Sequence, residues 1–350
     1  MPFEIVRNDM TKMKVDAVVN PTDSRLSGAG GLDMAIHRAA GPRLDAACRA
    51  LGHLEPGEAK LTEGYDLPAR YVIHTAGPVW QGGDRGEEAL LKACYGNCLA
   101  LAARQGCETV AFPLIAAGTF GYPKEKAMAV ALDAIGRFLL ENDATVYLVV
   151  FDRRETLAGK KLFREVQEYI DDVYAEQLIR GEYRREPRSR RLNLPRPDAA
   201  LPRGLWEDSE NAVPLAPATE QVSLGDLRDL LKKTDEGFSQ ALLRMIDERG
   251  MTDTECYKLA NIDKRLFSKI RANPAYRPTR PTVFAFAMAL RLDMAETSAL
   301  LSRAGYAFTR SSKFDIVMEY FIRRRDYDIY RINEVLFDLD LPLLGSSARE

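Results

Sequence analysis

The stretch from Val18 to Gly41, VVNPTDSRLSGAGGLDMAIHRAAG, limits what this chain can fold into more than any other. Ala17, Val18 and Val19 form a short apolar run of the kind a buried strand shows. Asn20-Pro21 is expected to stop it, because proline removes the next ladder donor. Gly28, Gly30 and Gly31 let backbone approach another group closely, and Asp33 opens a helix expected to bury Met34, Ile36 and Ala39. Helix openings of this kind present unpaired amide donors, which suit an anion. A strand that breaks into a glycine-rich loop feeding a helix is therefore expected to carry a ligand site.

Two stricter phosphate fingerprints are excluded. The spacing G-x-G-x-x-G needs glycine at the position of Asp33, and no Gly-Lys-Ser or Gly-Lys-Thr follows. Taken alone, the glycines fit an ordinary turn as well as an anion site. A second loop, AAGTFGYP from Ala116 to Pro123, repeats the arrangement after the apolar run Val110-Ala111-Phe112 and before an amphipathic pattern. Two such junctions predict one cleft at strand ends.

With the strand Tyr71-Val72-Ile73-His74-Thr75-Ala76-Gly77-Pro78, these loops resemble a macrodomain, the ADP-ribose-binding fold, and more closely its MacroD-type hydrolase branch. The resemblance spans roughly the first 160 residues. It implies an α/β fold, a three-layer α/β/α sandwich with a mixed sheet, and ADP-ribose or an ADP-ribosylated macromolecule as ligand. Carried onto the matching positions, it implies that Asp9 meets the adenine amino group and that amides around Gly30, Gly31, Gly118, Thr119, Phe120 and Gly121 cradle the pyrophosphate. Asn20 then positions the distal ribose, and Asp33 orients or activates water there.

Asp23 stands where that branch has a second asparagine, and a carboxylate cannot donate the hydrogen bonds an amide gives. With Asp33 it forms either an acid and base pair or a charge that weakens binding or shifts the substrate. Both readings stay open at this point. The implied activity is removal of mono-ADP-ribose from protein, or deacetylation of O-acetyl-ADP-ribose, and a non-catalytic ADP-ribose reader is the alternative. His37, four residues after Asp33 on one helix face, reads as a partner holding Asp33, and His74 as a core histidine. No cofactor and no metal is expected, since Cys94 and Cys98 have helical spacing and no further ligands at zinc-site spacing.

The chain has 350 residues, more than one compact core of common size, so a domain at 1–178, a linker at 179–234 and a second domain at 235–350 are expected. The formal net charge of -2 argues against whole-molecule attraction to nucleic acid or membrane. An odd number of cysteines, five, reads as a reducing compartment. The N-terminus lacks an apolar core of signal length, and Val283 to Leu290 is too short to span a bilayer, so a cytoplasmic protein with no membrane partner is expected. Arg180, Arg184, Arg185, Arg188, Arg190 and Arg191 accumulate among prolines, which makes the linker basic and extended.

Beyond the linker the pattern is helical. Phe238, Leu242, Leu243 and Ile246 mark one helix, Thr252 caps the next with Cys256, Leu259 and Ala260 inward, and Asn261 provides a turn. Asp263 caps a third helix that buries Leu266, Phe267 and Ile270. From Gly250 to Ile270 the chain resembles the lambda-repressor-like helix-turn-helix family, with Tyr257 where that family has a small residue and Asn261 where it has glycine. The resemblance implies an all-α domain whose Lys264, Arg265, Ser268, Lys269 and Arg271 contact DNA. A helical protein-interaction module is the alternative partner reading.

Overall fold

A computed structural model describes residues 3–150, 160–183 and 236–345. Six strands, β1 (Phe3–Arg7), β2 (Ala17–Thr22), β3 (Ala59–Glu63), β4 (Tyr71–Ala76), β5 (Thr109–Pro113) and β6 (Thr145–Val150), form one sheet in the order β1-β6-β5-β2-β4-β3. β1, β6, β5, β2 and β4 run parallel and β3 pairs antiparallel with β4, so the sheet is mixed.

The period-2 alternation of the strands divides two cores. Ala17, Val19, Ile73, Val110, Phe112, Val146 and Leu148 face one layer, and Val18, Val72, Ala111 and Val149 face the other. Helices α3 (Glu87–Arg104) and α4 (Lys124–Glu141) cover the first face with Leu91, Tyr95, Cys98, Met128, Ala131 and Ile135. Helices α1 (Gly31–Ala40) and α2 (Pro42–Leu51) cover the second with Ile36, Ala40, Leu44 and Cys48. The result is a three-layer α/β/α sandwich.

In the sandwich, β2 and α1 each depart from expectation. β2 does not stop at Asn20-Pro21 but continues to Thr22, paired with β4 throughout. β5 pairs with β2 only at Ala17 and Val18, so β2 is open on one side beyond them, where a proline is tolerated. Met34 is not buried but 47% exposed. The buried stripe of α1 is Asp33, Ile36 and Ala40, which places a carboxylate where the helical period calls for an apolar side chain.

Helix α5 (Lys160–Tyr183) follows, and the basic linker expected at 179–234 lies from residue 184 onward outside the described residues. Seven further helices are described: α6 (Phe238–Glu248), α7 (Asp253–Leu259), α8 (Lys264–Ala272), α9 (Arg280–Ala289), α10 (Met294–Arg303), α11 (Lys313–Arg323) and α12 (Ile329–Asp338). α9 is buried from Thr282 to Ala289 and forms the centre of this module, as a helix apolar on all sides must. Met1–Asp171 and Gly237–Glu350 belong to one compact unit and Asp172–Glu236 to another.

The α7-turn-α8 segment has the local structure its sequence predicts. Thr252 and Glu255 form a reciprocal capping box, Asp263 accepts from the Arg265 amide, and Asn261 takes φ +54° in the turn. Leu259 is 43% exposed rather than inward, because the buried stripe of α7 runs through Cys256 and Tyr257 to Ala260. Leu266 is only partly buried, while Phe267 and Ile270 are buried. Tyr257 fits by packing its ring at a tilt against Phe267, centroids 5.6 Å apart, and Phe267 in turn against Phe286 at 6.0 Å.

Asn261 also faces the sheet. Its side chain is fully buried, Oδ1 accepts from the Phe3 amide at 2.9 Å, and Nδ2 donates to the Phe3 carbonyl at 2.8 Å. One side-chain amide thus satisfies both backbone groups of a residue on the edge strand, which otherwise presents unpaired donors and acceptors. α12 lies along the same edge. Tyr330 meets Phe3 edge-on at 5.3 Å, the Arg7 guanidinium lies 4.2 Å over the Phe337 ring, and Arg7 pairs with Asp340.

Candidate functional site

The parallel strands share one carboxyl rim, and between β2 and β5 on that rim a pocket of about 270 Å³ opens. Pro21, Thr22 and Asp23 come to it from the end of β2, Ala29 to Asp33 from the opening of α1, and Pro113, Leu114, Ala116, Gly118, Thr119 and Phe120 from the loop after β5. The structure therefore brings Asp23, Gly30, Gly31, Asp33, Gly118, Thr119 and Phe120 together. Asn20, Asp9 and Gly121 are not among the lining residues. Asn20 lies just beneath, bonded to Asp33, and Gly121 closes the second loop by donating to the Gly118 carbonyl at 2.9 Å.

Gly30 and Gly118 have neither a left-handed φ nor any atom within 4 Å of where a Cβ would stand. Backbone strain does not require glycine there, and neither does packing. What their absent side chains leave is bare backbone beside the pocket, at the N-terminus of α1 for Gly30.

Asp33 is 5% exposed, and both of its oxygens are held from below. Asn20 Nδ2 donates to Oδ1 at 2.6 Å and Thr22 Oγ1 donates to Oδ2 at 2.9 Å. The carboxylate fixes which way the Asn20 amide faces. Its second N–H reaches His74 Nδ1 at 3.2 Å, so His74 accepts there and donates from Nε2 to Thr62 Oγ1 at 3.0 Å. Burial first, and then neighbouring His37, pushes the His74 pKa down to about 3, in keeping with a neutral ring. Asn20 Oδ1 is buried without a partner among the described residues.

Asp23 is arranged differently. It accepts from Ser27 Oγ at 2.7 Å and from the amides of Ser27 and Arg25 at 3.0 and 3.1 Å. Burial raises its pKa, but these bonds outweigh burial and hold it below the usual carboxylate value. Asp23 is thus the ionised brace of its own loop, and no hydrogen bond joins it to Asp33 among the described residues. Its bonds are all to its own loop, which is how Asp23 enters either of the two open readings, as one carboxylate of an acid and base pair or as an added charge beside the ligand.

Asp9 stands past the end of β1 on the same rim, capping a 3-10 turn at Met10–Lys12. Thr11 donates to it through its hydroxyl at 2.7 Å and its amide at 3.0 Å. The Thr11 hydroxyl foremost lowers its pKa, against the opposing effect of burial.

Several contributors carried no distinct sequence signal. Glu87 is 2% exposed and accepts from the amides of Gln81, Gly83 and Arg85, which with its own amide foremost pull its pKa down to about 2. It orders the segment before α3, where the Trp80 amide donates to the Phe120 carbonyl at 2.9 Å and so braces the second pocket loop. Asp45 and Cys48 on α2 back the site through His37. A carboxylate early in α2, right after Gly41-Pro42, was the available hint for Asp45.

Among the described residues no group of three or more His, Cys, Asp or Glu is placed to hold a metal ion. None of the described helices is long and apolar enough to cross a membrane.

Layers, sheet order and pocket together define an α/β/α domain that opens a glycine-lined pocket at the carboxyl ends of its parallel strands. A family model described as Macro domain matches residues 19–131. A macro domain-containing protein of Methanosarcina mazei is 46% identical over 166 residues, covering 47% of this chain and 89% of that protein. An O-acetyl-ADP-ribose deacetylase of Enterobacter sp. is 45% identical over 166 residues, covering 46% of this chain and 92% of that protein. The solved Oceanobacillus iheyensis macrodomain with ADP is 41% identical, covers 43% of this chain and 84% of that one, and has a TM-score of 0.42. The chain belongs to the macrodomain family.

Proposed function

We propose that the pocket binds ADP-ribose and that the chain hydrolyses a bond at its distal ribose, releasing the acyl group of O-acetyl-ADP-ribose or mono-ADP-ribose from protein. The observation that carries this reading is Asp33, a buried carboxylate lining the pocket and fixed by Asn20 and Thr22 one helical turn from bare glycine backbone. Relatives of similar sequence named O-acetyl-ADP-ribose deacetylase support it. The amides of Gly30, Gly31, Gly118, Thr119, Phe120 and Gly121 hold the pyrophosphate and Asp9 the adenine amino group, while Asn20, whose two N–H groups serve Asp33 and His74, acts on the distal ribose through Oδ1 or through Asp33. Asp33 orients water toward the bond that breaks, so the gain comes from positioning within a preformed site. No metal or cofactor takes part in this reading.

The test is product release from O-acetyl-ADP-ribose and from a mono-ADP-ribosylated acidic peptide, with calorimetry of ADP-ribose binding. Turnover that disappears in Asp33→Ala while ADP-ribose still binds is the expected result. ADP-ribose binding without turnover in the native protein makes the chain a reader. Full turnover in a folded Asp33→Ala protein places the chemistry elsewhere.

For the helical module, the exposure of Lys264, Arg265 and Lys269 on α8 favours a helix-turn-helix reading with DNA as partner. Arg271 is paired with Asp253, and Ser268 bonds its own helix at the Lys264 carbonyl, 2.9 Å away, so these two contribute less. Lys264 and Arg265 also line a groove whose other wall includes Thr109 and Thr145 at the amino ends of β5 and β6. Duplex affinity of the full chain is expected to fall steeply with salt, and the triple alanine variant of Lys264, Arg265 and Lys269 to flatten that slope. No salt-dependent binding to duplex makes the module a protein-interaction surface. The same reading keeps the division 1–178, 179–234 and 235–350, tested by limited proteolysis within 179–234, and a cytoplasmic setting in which the five buried cysteines stay free thiols.

A further inference from the structure

His37 sits between two carboxylates. Its Nε2 lies 3.5 Å from Asp33 Oδ1, one turn earlier on α1, and its Nδ1 lies 2.6 Å from Asp45 Oδ1 on α2. The corner that makes this possible is Gly41, at φ +80°, followed by Pro42 at the start of α2, which folds the early part of α2 back beside the end of α1. The ring has little freedom. A Cβ on Gly28 would fall 3.0 Å from His37 Cγ, and Cys48 Sγ lies 4.0 Å from Nε2.

The confinement by Gly28 and Cys48 limits where the ring lies but does not distinguish its two nitrogens. The short bond to Asp45 does, because it engages Nδ1 as donor and leaves Nε2 as the atom facing Asp33. Asp33 is hydrogen-bonded by Asn20 and Thr22, and His37 Nε2 stands 3.5 Å from its Oδ1, where it pairs with the carboxylate only when both ring nitrogens carry protons. Asp45 itself is 50% exposed on its side chain and absent from the pocket lining, so it touches neither ligand nor reacting atoms.

We propose that Asp45 is a positioning residue for the reaction at Asp33, acting through His37: by accepting from Nδ1 it keeps Nε2 beside Asp33, so that the doubly protonated ring bridges the two carboxylates and steadies Asp33 toward the pocket. This rests on the hydrolase reading of the site. The competing role for Asp45 is a first-turn acid that only stabilises α2 through the helix dipole, and that role predicts a change in melting temperature with the site untouched.

The test compares Asp45→Ala with Asp45→Asn in the full chain, using turnover of O-acetyl-ADP-ribose, calorimetry with ADP-ribose, melting temperature, and the ring-nitrogen NMR signals of His37. Loss of the carboxylate is expected to lower kcat on the order of 10- to 100-fold with KM and ADP-ribose affinity little changed, since only orientation of Asp33 is lost. Asp45→Asn, whose side-chain oxygen still accepts from Nδ1, is expected to recover most of the loss. The His37 ring signals should shift in Asp45→Ala and return in Asp45→Asn. Unchanged kcat in folded Asp45→Ala overturns the proposal, and so does an asparagine variant as slow as the alanine one. If the native protein binds ADP-ribose without turnover, the hydrolase reading fails instead. The ring signals then decide whether Asp45 sets His37: identical signals in all three proteins overturn it.

Discussion

At the scale of single residues, the site is a chain of donors and acceptors with little freedom: Thr62 to His74, His74 to Asn20, Asn20 to Asp33. His74 gives this chain a pH signature. Its folded pKa of about 3 lies below the ordinary 6.5, so below 6.5 the unfolded chain takes up a proton that the native ring refuses. By linkage, stability falls as pH drops from 6.5 toward about 3 and is independent of this group above 6.5. Urea midpoints at pH values on both sides of 6.5 check the sign, and His74→Gln should remove part of the slope. Asp9 makes a separate prediction. Its carboxylate is already held by Thr11, so it is preorganised as a charged acceptor, and Asp9→Ala is expected to weaken ADP-ribose binding by about 1.5 to 3 kcal/mol. Calorimetry that finds equal affinity removes Asp9 from the site.

At the scale of elements, Asn261 separates two explanations of one residue. A residue at φ +54° in the α7–α8 turn is explained by turn geometry alone, and glycine adopts that conformation with less strain. The bonds to Phe3 predict the opposite outcome for Asn261→Gly. Relieving the turn still leaves the Phe3 amide and carbonyl without partners on the sheet edge, an expected loss of about 2 to 4 kcal/mol. A glycine variant with an unchanged urea midpoint would show that the turn is all that matters. The sequence made the turn legible, because Asn tolerates that conformation and Thr252 and Asp263 cap the flanking helices. It did not make the second role legible, because a strand 258 residues away leaves no mark in local pattern. The same limit explains Met34, which is apolar by type yet exposed, since the inward stripe of α1 is set by Asp33 and its partners. The glycine loops were readable as a candidate site from their places after apolar strands, and Asp33 from the family resemblance. Asp45 carried neither signal.

At the scale of the whole molecule, the sandwich and the helical module share a core as well as an edge. Phe337 of α12 is buried in the cluster that contains Phe3, Ile5, Val146 and Leu148 of the sheet, and Lys258 of α7 donates to the Leu140 carbonyl of α4 at 2.7 Å. A ligand that binds only the native pocket stabilises whatever unfolds together with that pocket. If sandwich and module unfold as one, ADP-ribose at about 100 times its Kd should slow exchange of the α9 core amides by the same ~2.7 kcal/mol as those of β2 and β5, although α9 supplies no residue to the pocket lining. Phe337→Ala is expected to uncouple them, since removing a buried aromatic at the seam costs about 3 to 5 kcal/mol and leaves each core its own helices. Native-state hydrogen exchange with and without ADP-ribose reads both effects. Protection gained in β2 and β5 alone would mean that the module opens independently, and that the shared edge joins two separately cooperative bodies.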